Sequence, residues 1–211
     1  MPLVRLNLPD PLPPASPEVE RFLIDAQTQI DAFIESHLSD PVHAFVPSDF
    51  PLVYGALRYV ADANLSAGPL FCEWGSGAGV ITCMAAMLGF SASGVEFERI
   101  LVELANQLAD RHKIPAAFYH GNLVPHGGQR IAEQTGEFEW LAVGGPDPYD
   151  QMGLEIDDFD MIFAYPWPGE EQVIRRLFER FAADGALLMT YNGGEGIHLY
   201  RKRAGTKESR K

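Results

Sequence analysis

The chain has 211 residues, enough for one domain with a well-buried core, and carries a formal net charge of −13. So acidic a balance argues against a nucleic-acid backbone as main partner, because phosphate binding draws on clustered Lys and Arg. Cys72 and Cys83 suit a core rather than a disulfide scaffold, and no apolar run is long enough to cross a bilayer, so a reduced, cytoplasmic protein without membrane contact is expected.

Residues 1–16 are proline-rich and read as an extended arm. From Pro17 the pattern turns helical, with Val19, Phe22, Leu23, Ala26, Ile30, Phe33, Ile34 and Leu38 on one face and Ser16–Pro17 as the N-cap and first-turn pair. A second helix is expected after Asp49, carrying Leu52, Val53, Leu57 and Val60. These two helices, within a segment 1–67, read as a lid or cover for the core at 68–203, followed by a basic tail at 204–211, the whole forming one compact domain.

After Gly68, short apolar runs alternate with helical segments, the pattern of a doubly wound, mostly parallel α/β sheet. Strands are expected near 69–74, 92–96, 116–120, 159–164 and 186–191, and helices near 78–89, 98–112 and 169–183. Right-handed crossovers then collect the loops that follow the strands along one edge, where a ligand crevice belongs. Ile197 to Tyr200, separated from the fifth strand by NGGEG, reads as an antiparallel return.

The stretch FCEWGSGAGV, residues 71–80, puts three alternating glycines directly behind a strand, and so much bare backbone suggests a tight turn or a close ligand. A P-loop is excluded, because Gly79 is followed by Val80 and Ile81 where Lys and Ser or Thr are needed. A dinucleotide loop expects a glycine where Val80 stands, which weakens a nicotinamide or flavin site.

What remains, E-W-G-S-G-A-G, resembles the first motif of the class I S-adenosylmethionine-dependent methyltransferases, and the resemblance runs in register over about residues 45–192. It implies S-adenosyl-L-methionine as cofactor, held by Glu73, Trp74, Gly75, Ser76, Gly77 and Gly79, with Glu96 at the end of the second strand on the ribose hydroxyls and Phe97 beside the adenine. Where the family often has Gly-Asp after the third strand, this chain has Gly121 and Asn122, whose amide oxygen is expected to accept from the adenine amino group. The fourth strand runs into Ala164, Tyr165, Pro166 and Trp167, at the position where many amino-methyltransferases have Asn or Asp, two prolines and an aromatic. Ala164 lacks the side chain that holds the target nitrogen there, so Tyr165, Pro166 and Trp167 are the candidate catalytic residues.

From Ile131 to Asp160 there are nine acids and no Lys, Arg or His, a solvated acidic segment or a docking surface for a cationic amine or a protein lysine. That segment, and the lack of an acid or His uniquely placed as a base, favour nitrogen over oxygen as the methyl acceptor. Two other readings stand beside this one: a non-catalytic S-adenosylmethionine-binding module or scaffold, suggested by Ala164, and a nicotinamide-dependent reductase. The family sheet usually has a helix and two strands after the fifth strand; here one short strand remains, so the C-terminal strands read as abbreviated. No histidine spacing suggests a metal site.

Overall fold

The computed structural model describes residues 3–38, 42, 45–135 and 144–203. Ser16 caps the first helix, α1 (Pro17–Ser36), its hydroxyl accepting from the Val19 N–H at 3.4 Å. Asp49 does the same for α2 (Phe50–Asp62), accepting from the Leu52 N–H at 3.0 Å. Val19, Phe22, Ala26 and Ile30 of α1 and Val53, Leu57 and Val60 of α2 are buried. The expected α1 face is cut short, however: Ile34 is 41% and Leu38 71% exposed.

The alternating pattern then delivers β2 (Leu70–Trp74), α3 (Val80–Met87), β3 (Ser91–Glu96), α4 (Arg99–His112) and β4 (Ala117–His120). Two short helices, α5 (Gln129–Thr135) and α6 (Pro148–Met152), precede β5 (Met161–Ala164), α7 (Glu171–Phe181), β6 (Leu187–Tyr191) and β7 (Ile197–Lys202). With β1 (Leu3–Leu6) these strands form one seven-stranded sheet in the order β1-β7-β6-β5-β2-β3-β4. The five strands β6, β5, β2, β3 and β4 are parallel; β7 runs antiparallel to β6, and β1 antiparallel to β7. This is a Rossmann-like methyltransferase fold.

One expectation changes here. A single strand does follow β6, but the sheet is not short, because the N-terminal arm supplies its last strand, with Leu3 opposite Lys202 and Leu6 opposite Leu199. Arg201 and Lys202 belong to β7; residues 204–211, read as a basic tail, lie outside the described residues. Lys202 is buried, its ammonium donating to the Ala182 carbonyl.

Side chains alternate across the sheet with the two-residue period of a strand. Phe71, Met161, Phe163, Leu187 and Met189 pack with α1, α2 and α3, whereas Cys72, Trp74, Ile162, Ala164 and Leu188 pack with α6 and α7. The first two helices therefore cover the sheet as a layer of the core. Residues 45–49, the strap, lead into α2.

Candidate active site

The strand order reverses between β2 and β5, and at such a switch point the loops leave in opposite directions and open a crevice. A cavity of about 720 Å³ occupies it. Its walls come from the ends of β2, β3 and β5, the turn after β4, the strap at 45–49, which contributes Phe45, Val46, Pro47 and Ser48, and Phe50 at the start of α2.

Of the residues singled out in the sequence, Glu73, Trp74, Gly75, Ser76, Gly77, Glu96, Phe97, Asn122, Tyr165, Pro166 and Trp167 all line this cavity, and Gly79 does not. Gly79 has a different task. With φ at +77° it caps α3, and a Cβ there would lie 2.6 Å from Ala105 and from the Phe118 ring. Its bareness lets α3 close onto α4 and the sheet. Gly77, at φ +51°, would place a Cβ 3.0 Å from the Phe45 ring, a tight contact that the ring would have to ease by a few tenths of an ångström.

Glu73 ends buried beneath the loop, its Oε2 accepting from the Thr82 N–H at 2.8 Å and the Thr82 hydroxyl at 2.5 Å. Burial pushes its acid up to about 8, with the Thr82 bonds pulling the other way. Glu96 splits its carboxylate, Oε2 accepting from the Gly77 N–H and Oε1 from the Glu98 N–H, each at 2.8 Å. One side chain thus ties the glycine turn after β2 to the turn after β3. Burial raises its acid too, against the backbone bonds from Glu98, Gly77 and Phe97. Phe97 follows on the cavity rim, 45% exposed.

Asn122 is already spoken for at both ends. Its Oδ1 accepts from the Val124 N–H at 2.9 Å and its Nδ2 donates to the Gly144 carbonyl at 3.1 Å, so its first duty is to hold two loops together. Two hydroxyls in the walls, Ser48 Oγ and Ser76 Oγ, are buried without a hydrogen-bond partner. Buried polar atoms are rarely left so unless a ligand or water completes them.

The β5 end carries the surprise. Pro168 and Gly169, the latter at φ +96°, form a type II turn closed by the Glu170 N–H on the Trp167 carbonyl at 2.9 Å. The turn folds Glu170 back: its Oε2 accepts from the Trp167 N–H at 3.2 Å, and its Oε1 is buried without a partner. Glu170 lines the cavity beside Tyr165 to Pro168, is 6% exposed, and has its acid raised by burial. In the sequence this glutamate reads as an ordinary acid at a helix start, the one available signal being the Pro-Gly pair before it. The strap residues carry no local signal at all.

Four glutamates, 73, 96, 98 and 170, line the cavity, and among the described residues no Lys, Arg or His does. The described residues of the acidic segment at 131–160 are not among those that line the cavity. Asp147 caps α6, Asp158 and Glu155 cap each other's turn, and Asp160 accepts from the Leu70 N–H at 3.0 Å; Glu137 and Glu139 lie outside the described residues. No helix among the described residues is long and apolar enough to cross a membrane.

No protein-family model matches the chain, and no curated protein sequence does. Solved structures do match. An RNA methyltransferase from Salinibacter ruber in complex with S-adenosyl-L-homocysteine is 19% identical, covering 78% of this chain and 98% of that one, with a TM-score of 0.53. Cofactor-bound Rv0187 from MTB is 13% identical over 90% of this chain and 92% of its own, with a TM-score of 0.53. The S-adenosyl-L-homocysteine-bound methyltransferase PaMTH1 of Podospora anserina is 9% identical over 85% of this chain and 64% of its own, again at 0.53.

Proposed function

We propose that the protein is an S-adenosyl-L-methionine-dependent methyltransferase acting on a cationic amine or a protein lysine. The observation that carries this reading is a single cavity in which Glu96 joins the glycine turn at the sheet's switch point, with no basic side chain among the described lining residues. A pyrophosphate cofactor would find no cation in such walls, whereas a cationic one gains from every carboxylate.

The donor set fits. A carboxylate has about four acceptor positions, so Glu96 can take a ribose hydroxyl beside its backbone bonds. Phe97 on the rim offers a face to a flat base. The unpartnered hydroxyls of Ser48 and Ser76 suit the carboxylate of the methionyl part, and buried Glu73 suits its ammonium group. When bound, the cofactor supplies an already activated sulfonium methyl group, so the protein's work is to position and to exclude water. Phe45, Val46 and Trp74 exclude water; Tyr165, Pro166 and Trp167 form the wall against which the acceptor is held.

Calorimetric titration with S-adenosylmethionine, S-adenosylhomocysteine and NAD tests the reading. Both adenosyl ligands are expected to bind and NAD not. Glu96→Ala is expected to weaken the adenosyl ligands roughly 100-fold, the loss of a charge-assisted hydrogen bond. A folded protein that binds neither adenosyl ligand, or prefers NAD, would sink it. Ala164 keeps a second reading in play, a binding module, which differs by tight cofactor binding with no methyl transfer to any amine.

A further inference from the structure

Among the described glutamates that line the cavity, Glu170 has a buried carboxylate oxygen with no hydrogen-bond partner. It stands immediately before α7, yet makes no side-chain capping bond to that helix. Its Oε2 is held by Trp167, and its Oε1 is left buried and bare. Removing a carboxylate from water is costly unless something compensates, and no cation figures among the groups that act on it: burial raises its acid, the Trp167 N–H lowers it, and Glu171 raises it further. A bare oxygen on a residue only 6% exposed, in the wall of a ligand cavity, is the signature of a partner that arrives with the ligand.

The neighbours say which ligand. Glu170 shares its part of the wall with Tyr165, Pro166, Trp167 and Ile174, on the β5 side and across the switch point from Glu96. Ala164, at the end of β5, has no polar side chain to offer an acceptor. We propose that Glu170 is the acceptor-binding residue, its Oε1 taking an N–H of a primary ammonium group held against Tyr165 and Trp167; before transfer that nitrogen gives one proton to the Glu170 carboxylate, which frees the lone pair that receives the methyl group. The Pro168–Gly169 turn thereby brings back, from six residues later, the polar group that Ala164 lacks. A neutral or anionic acceptor would leave the buried carboxylate uncompensated, so the pocket selects for positive charge.

This inference rests on the methyltransferase reading, and one experiment separates the two. Protein saturated with S-adenosylhomocysteine is titrated with n-butylammonium, 1-butanol and pentanoate, and the titrations are repeated on Glu170→Gln and Glu171→Gln. Glutamine keeps an oxygen for the Trp167 N–H, and unchanged S-adenosylhomocysteine affinity, within about twofold, certifies the fold and shows that Glu170 does not serve the cofactor. The expected result is that only butylammonium binds the wild type and Glu171→Gln, and that Glu170→Gln weakens it roughly 10- to 100-fold, as for a charge-assisted hydrogen bond. Butylammonium failing to bind the wild type, binding Glu170→Gln equally well, or losing to pentanoate would overturn the proposal. So would a parallel loss of S-adenosylhomocysteine affinity in Glu170→Gln, which would assign the residue to the cofactor. If S-adenosylhomocysteine itself does not bind the wild type, the methyltransferase reading fails first.

Discussion

Replacing Glu73 by glutamine should stabilise this protein at neutral pH, even though it removes a buried, hydrogen-bonded acid. Glu73 is 3% exposed, and its two hydrogen bonds to Thr82 do not offset burial, so its acid stands at about 8 against an ordinary 4.5. The folded chain therefore holds one more proton than the unfolded chain between those values. Stability is full below about 4.5, falls as pH rises through the window, and the loss is complete above about 8. At about 1.4 kcal/mol for each pH unit, the penalty reaches at most roughly 5 kcal/mol, and about 2–3 kcal/mol accrues between about pH 5.5 and 7.5. The glutamine of Glu73→Gln keeps an oxygen for Thr82 and carries no charge, so that part of the slope should vanish. Urea denaturation of both proteins across this range measures it. Burial also raises Glu96 and Glu170, so both proteins retain a residual slope, and only the difference between the curves belongs to Glu73. Parallel curves would refute the reasoning, and a curve for the wild type that rises with pH relative to Glu73→Gln would reverse its sign. A cationic ligand should flatten the wild-type curve, because it compensates the charge that burial opposes.

Gly79→Ala should cost roughly 2–4 kcal/mol in the same denaturation assay, the sum of a left-handed backbone and a Cβ 2.6 Å from Ala105 and Phe118. Gly89→Ala, at φ +93° with open space around its Cβ, should cost only about 1–2 kcal/mol, and equal losses would show that packing against α4 is not the issue. Deleting residues 1–7 should lower stability on the order of 2 kcal/mol, since half-buried Leu3, Val4 and Leu6 leave the edge of β7. No change in the thermal midpoint would mean that β1 adds nothing to the sheet.

The parts of this fold that were legible are those in which sequence neighbours make the structure. Ser16–Pro17 and Asp49–Pro51 announce their helices through bonds to backbone three residues on, and the central strands show as apolar runs because both their faces are covered. The glycine turn and Glu96 were legible for a related reason: a tight turn restricts its own residue types, and Glu96 bonds two backbone amides in loops the fold must bring to one edge. Where partners lie far apart in the chain, the pattern goes silent. Leu3 to Leu6 look like any other apolar residues in a proline-rich arm until β7, nearly 200 residues later, supplies a ladder, and Phe45 becomes a cavity wall only when it lies on Gly77.

Glu170 marks a subtler limit. The acids that drew notice in the sequence, between Ile131 and Asp160, are mostly spent on turns and solvent, while the acid that lines the cavity is a single residue in an unremarkable helix start. Clustering in sequence measures charge density along the chain, and it is desolvation in space that gives a carboxylate chemical leverage. A solvated acid interacts with a cationic acceptor through high-dielectric water, whereas a carboxylate with a bare, buried oxygen meets it with little screening. The preference for a cationic acceptor therefore passes from the acidic segment to the cavity wall, where a single substitution can test it.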